Sequence, residues 1–121
     1  MASRTIRCER VYDSSAAEES YRVLVDRLWP RGIKKVDLAL DAWAKELAPS
    51  TELRRWYNHD EARWAEFQRR YEQELAPQRD ALETLLRSGE GDLVLLFSSR
   101  ARERNSAQVL RRILMQLQDG A

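Results

Sequence analysis

Cysteine and histidine are almost missing from this sequence: Cys8 and His59 are the single representatives of each in 121 residues. One thiol cannot close an internal disulfide, and a free thiol fits a reducing, cytoplasmic compartment. One thiol and one imidazole also fall short of the ligand set of a structural zinc, and they provide no cysteine-histidine pair at close spacing for nucleophilic work. No metal and no cofactor is therefore expected. Long hydrophobic runs are absent too. Nothing approaches the ~20 consecutive apolar residues that span a bilayer, and residues 1–10 lack the apolar stretch of a secretory leader, so no membrane association is expected. With 4 glycines and 3 prolines there is no glycine-rich phosphate loop and no linker to divide the chain. Charge of one sign is lacking as well: 21 Lys and Arg stand against 20 Asp and Glu, without the basic excess of a dedicated duplex-DNA binder.

What is present is a 43% hydrophobic, 34% charged composition, well inside the globular range. A chain of this length buries roughly two thirds of its unfolded surface and needs no staples. One domain over residues 1–121 is expected.

Hydrophobic periodicity places the elements. Thr5 to Tyr12 reads as a strand with Ile6 and Cys8 on one face. Tyr21 to Leu28 and Leu93 to Phe97 hold continuous apolar runs, the mark of strands covered on both faces. Between them Leu40, Trp43, Ala44 and Leu47 recur at helical spacing from Asp37, a plausible N-cap, to Pro49. Ser50 can cap a second helix carrying Leu53, Trp56 and Tyr57, and Asn58 to Glu61 resembles a capping box opening a third, with Trp64, Phe67, Tyr71 and Leu75 on one face. Pro77 breaks or kinks that helix before Leu82, Leu85 and Leu86 resume the stripe, and Ser88, Gly89 and Gly91 end it. Val109, Leu110, Ile113, Leu114 and Leu117 make a final helix. Asp13 to Ser20 is polar and reads as a loop or a single helical turn. A long helical crossover between buried strands implies an α/β fold. The expected architecture is a small parallel sheet of about three strands flanked by helices, a Rossmann-like or flavodoxin-like three-layer sandwich.

Chemistry in such folds gathers at the carboxyl ends of the strands. The second strand runs into Asp26, Arg27, Leu28, Trp29, Pro30, Arg31 and Gly32, where Pro30 and Gly32 fix a loop shape. Arg27 and Arg31 offer guanidinium forks for a carboxylate or phosphate, and Asp26 offers an acid or base; the competing reading is an ion pair that merely ties down the loop. After the third strand come Ser98, Ser99, Arg100 and, at the start of the last helix, Asn105, a combination of hydroxyls, free amides and a cation that suits an anion. His59 is the one imidazole, the side-chain type suited to acid-base work near neutral pH, with a surface or capping role as its alternative. Trp29 is the tryptophan least like a core residue.

The run Arg22-Val23-Leu24-Val25-Asp26-Arg27-Leu28-Trp29-Pro30-Arg31-Gly32 resembles the signature of the YeaO-like family, a domain of unknown function. Trp43 to Ser50, Leu53-Arg54, His59, and Trp64, Phe67, Tyr71 and Leu75 in order resemble its middle section, so the likeness covers most of the chain. The resemblance implies a bacterial-type cytosolic α/β protein without an established activity, and it adds Lys45, Ser50 and Arg54 to the candidate ligand-binding residues. Ahead of the last helix the sequence departs from the family, whose members tend to carry an acidic residue and histidine-asparagine pairs. Here Ala101 and Arg104 stand near those places and Asn105 alone keeps the polar pattern.

Three functions are compatible with these residues. The first is binding of, with or without catalysis on, a small anionic ligand, with Asp26 and His59 as the reactive groups. The second is single-stranded nucleic-acid binding through Arg54-Arg55-Trp56-Tyr57, Arg69-Arg70-Tyr71 and the arginines from Arg100 to Arg112. The third is an interaction module, with the chain a monomer or a homodimer.

Overall fold

The two continuous apolar runs settle the centre of the sheet. In the computed structural model, which describes residues 3–13 and 19–120, β1 (Ile6–Arg10), β2 (Ser20–Leu24), β3 (Ala42–Trp43) and β4 (Asp92–Phe97) form one parallel sheet in the order β1-β4-β2-β3. Leu93 to Leu96 are wholly buried because β4 has a strand on each side and cover on both faces. Ile6 lies opposite Leu93 and Arg10 opposite Phe97, while Ser20 to Leu24 run opposite Asp92 to Leu96. The strand ends Arg10, Leu24 and Phe97 are thereby brought to one edge. The polar segment from Asp13 to Ser20, which reads as a loop or a single helical turn, falls largely on residues 14–18, which lie outside the described residues.

Alternation along the strands assigns the two faces. Val23, Val25, Leu93, Leu95 and Phe97 point to the side covered by α1 (Thr51–Tyr57), α2 (Trp64–Leu75), α3 (Arg79–Arg87) and α4 (Ser106–Asp119), where Phe67, Tyr71, Leu75, Leu110 and Leu114 complete the core. Leu24, Val94 and Leu96 point the other way and meet Val11, Leu38, Trp29, Ile33, Leu40 and Trp43. The α/β architecture is the expected one. Among the described residues, the second face is covered by the long connection from β2 to β3, with a single 3-10 turn at Lys35–Asp37, and not by α-helices.

That connection corrects the expectation of a helix from Asp37 to Pro49, and it raises the strand count from about three to four. The Asp41 amide donates to the Arg22 carbonyl (2.8 Å) and the Ala44 amide to the Leu24 carbonyl (2.9 Å). These backbone groups are satisfied by β2 rather than by their own chain, so an extended edge strand wins over helical propensity. The apolar spacing that mimics a helix is that of a ribbon laid over the sheet, pinned by the edge-to-face contact of Trp29 and Trp43 (ring centroids 5.5 Å apart). A 3-10 turn at Lys45–Leu47 follows. Two further boundaries move. β2 ends at Leu24, so Asp26 to Leu28 belong to the loop. Asn58 does not open a helix: at φ +45° it closes α1, and Asp60 caps the 3-10 turn Glu61–Arg63 that leads into α2. Pro77 breaks rather than kinks, lying in the 3-10 turn Ala76–Gln78 between α2 and α3.

Candidate anion-binding cleft

The loops leaving β2 and β4 are locked to each other by Asp26. Its Oδ2 accepts from the Ser98 amide (2.9 Å) and from the Ser98 hydroxyl (2.7 Å), and its carbonyl accepts from Trp43 Nε1 (2.7 Å). Burial pushes the carboxyl pKa up from the ordinary aspartate range, opposed by the two Ser98 hydrogen bonds and by the nearby Arg54 charge. Asn105 closes the second loop from the other end. Its Oδ1 caps α4 through the Gln108 amide (3.0 Å), and its Nδ2 donates to the carbonyls of Ala101 (2.6 Å) and Arg102 (3.0 Å). It is 6% exposed and is one of two buried polar residues, with Arg22, among the described residues.

Above these loops, at the carboxyl edge of the sheet, opens a cavity of about 930 Å³. It gathers nine of the eleven sequence-derived candidates: Asp26, Arg27, Trp29, Arg31, Arg54, His59, Ser98, Arg100 and Asn105. Lys45 and Ser50 stand apart. Lys45 holds its ammonium 4.0 Å from the centre of the Trp43 ring, a cation–π contact. Ser50 caps α1 at the Leu53 amide (3.1 Å), and its hydroxyl and amide donate to the two carboxylate oxygens of Glu74 (2.5 and 2.8 Å), which ties α1 to α2 beside a separate hollow of about 560 Å³.

Within the cleft the candidates divide by how far they are already engaged. Arg27 spends its fork on the carbonyls of Pro49 (3.1 Å) and Ala48 (3.2 Å), an anchor for the turn beneath the cleft. Trp29 donates to the Ile33 carbonyl (2.7 Å) and packs on Trp43. His59, at φ +55°, is exposed on the turn between α1 and α2. The guanidiniums of Arg31 and Arg100 are exposed and form no hydrogen bond or ion pair among the described residues.

The sequence reading missed several lining residues. Arg10 ends β1 at the same edge and donates to the Ser99 carbonyl (3.1 Å); the strand-end rule applied to β1 would have found it. Arg55 comes from α1, and Arg104 comes from the second loop, where it faces Glu61 (3.8 Å). Tyr57, Trp64 and Phe67, assigned to helix cores by periodicity, form an aromatic wall with ring centroids 4.7 to 5.9 Å apart. The lining thus carries seven arginines against the two carboxylates of Asp26 and Glu61. Among the described residues no three His, Cys, Asp or Glu side chains gather as a metal site, and no helix is long and apolar enough to cross a membrane.

The profile of a family described as the inactive DUF488-N3 subclade matches residues 5–120. The chain is 46% identical to the uncharacterised protein YeaO of Escherichia coli over 106 residues, 87% of this chain and 92% of that one. It is 38% identical over 109 residues to the uncharacterised proteins Rv3073c of Mycobacterium tuberculosis and Mb3100c of Mycobacterium bovis, covering 90% of this chain and 92% of each. No solved structure matches it significantly.

Proposed function

The chain belongs to the YeaO-like DUF488 family, and we propose that it is a binding protein for a small organic anion bearing phosphate or carboxylate, held in the cleft at the carboxyl edge of the sheet. The observation that carries this reading is the excess of seven arginines over two carboxylates in one concave site. Guanidiniums converging in a partly desolvated cavity select anions by charge and by forked hydrogen bonding. Arg31 and Arg100, which project from different loops, supply the recognition, and Arg54 and Arg55 supply charge from α1.

The reading is of binding rather than turnover. One oxygen of Asp26 is already engaged by both donors of Ser98, which suits a loop lock more than a proton shuttle. The word "inactive" in the description of the matched family points the same way. Use inside the fold also disfavours the nucleic-acid alternative. Arg69 and Arg70 both bind Glu66 (2.7 and 2.8 Å), Tyr71 is buried, and the Trp56 ring is faced by Arg63 and Arg70, so the run of successive cations and rings along α1 and α2 that would track a single strand is already used within the fold.

A thermal-shift screen against inorganic phosphate, sugar phosphates, nucleotides and carboxylates tests this. A ligand at ~100 times its dissociation constant stabilises by roughly 2.7 kcal/mol. Stabilisation of the wild type that is lost in Arg31→Ala and Arg100→Ala, both exposed positions, is the expected result. A shift that both variants retain, or no shift with any anion, overturns it.

A further inference from the structure

We propose that the ligand of this cleft is a free nucleoside monophosphate; this rests on the anion-binding reading above and adds the chemistry of the rest of the molecule. Three features of the cleft ask for three different groups. At the rim, Arg31 and Arg100, one on each of the two loops, carry exposed guanidiniums without partners among the described residues, which suit a phosphate. On the helical side the wall is aromatic: Tyr57 and Trp64 are half-buried, with their other surfaces packed on Phe67 at 4.7 and 5.5 Å. A wall held rigid in this way offers fixed ring surface to a flat partner, and a nucleobase is such a partner.

On the floor sits Asp26. Both Ser98 hydrogen bonds go to Oδ2, and Oδ1 accepts none among the described residues. An anionic acceptor on the floor of a lining with an excess of arginine is a penalty for a bare anion. It becomes an advantage for a ligand that brings a hydrogen-bond donor, as the amino or imino N–H of a base or a ribose hydroxyl does. The volume agrees. About 930 Å³ is far more than a lone phosphate fills, and it lies within the range of ~300–1,000 Å³ typical of sites for molecules of nucleotide size. A sugar phosphate would satisfy the arginines and Asp26 and leave the aromatic wall bare.

Calorimetric titration of the whole chain with the four ribonucleoside 5′-monophosphates, ribose 5-phosphate, inorganic phosphate and a 5′-phosphorylated single-stranded hexanucleotide tests the assignment. At least one mononucleotide is expected to bind about tenfold or more tightly than ribose 5-phosphate. Equal affinity for mononucleotide and ribose 5-phosphate overturns the inference while leaving the anion reading intact. Binding of none of the anions overturns both. Tighter binding of the hexanucleotide than of any mononucleotide overturns the free-nucleotide assignment in favour of nucleic acid. Asp26→Asn is expected to weaken the mononucleotide and ribose 5-phosphate relative to inorganic phosphate, whose binding it keeps. Since that variant also alters the loop lock, the wild type supplies a second readout: base protons of the bound nucleotide should show nuclear Overhauser contacts to Tyr57 or Trp64 ring protons. Their absence in a saturated complex contradicts the proposal.

Discussion

Asp26 and Cys8 are both half-buried titratable groups, and burial moves each towards its neutral form. For Asp26 the consequence is an inverted pH dependence. Its folded-state pKa lies above the ordinary aspartate range. Between the unfolded and folded values the native protein therefore binds more protons than the unfolded chain, and stability falls as pH rises through that window. The stability of the wild type minus that of Asp26→Asn, from urea unfolding across acidic pH, is expected to decline as pH increases; a rising difference would mean the carboxylate is stabilised as the anion. Cys8 donates to the Ala107 carbonyl (3.4 Å), and burial pushes its thiol up to about 12. Because the thiolate is the nucleophile, Ellman's reagent at pH 8 should modify the native protein far more slowly than the denatured chain. Equal rates would place the thiol in solvent.

At the scale of elements, the loop from β4 into α4 depends on Asn105 for more than its cap. Asn105→Asp keeps an oxygen for the Gln108 amide but loses the donors to Ala101 and Arg102. An aspartate cap is intrinsically as good as asparagine, so a cap-only role predicts no loss, whereas two lost hydrogen bonds at a buried site predict a loss of about 2 kcal/mol or more in chemical denaturation. Ser50→Ala should cost about 1–2 kcal/mol, since it removes the cap of α1 and the hydroxyl bonded to Glu74. Gly91 shows where backbone geometry dictates the residue. At φ +76° an added Cβ would lie 1.4 Å from the Glu19 carbonyl oxygen, so Gly91→Ala should destabilise strongly. At Gly32, φ +77° with open space around it, alanine should cost only the ~1 kcal/mol of the left-handed conformation.

Elements with one dominant pattern were legible in the sequence. The buried runs at 23–25 and 93–97 placed the central strands, and the stripe through Trp64, Phe67, Tyr71 and Leu75 placed α2. The segment from Asp37 to Pro49 was not, because its period is helical while its hydrogen-bond partners lie on β2, far away in sequence. Likewise strand ends and loops marked the site region, yet the sequence does not distinguish Arg27, anchored on Ala48 and Pro49, from Arg31, which is exposed at the rim. The aromatic wall was hidden for a related reason: Tyr57 and Trp64 pack into the helical core with one surface and line the cleft with another.

For the whole molecule, a formal net charge of +1 conceals a strongly uneven distribution. Arginine and carboxylate are balanced along the chain, but folding pairs many of them on the outer helix faces, as in Arg69 and Arg70 with Glu66 or Arg79 with Glu83, and leaves the excess of cations at the carboxyl edge of the sheet. Exposed pairs of that kind contribute little stability, about 0–1 kcal/mol each. On the proposed reading, their consequence is to confine anion affinity to the cleft. The most direct test is a two-dimensional amide NMR titration of the labelled protein with an organic phosphate. Progressive, saturable shifts confined to residues 26–32, 54–60 and 98–106 are predicted. Shifts spread over the arginines of α2 and α3, or proportional to ionic strength without saturation, would contradict a built anion site.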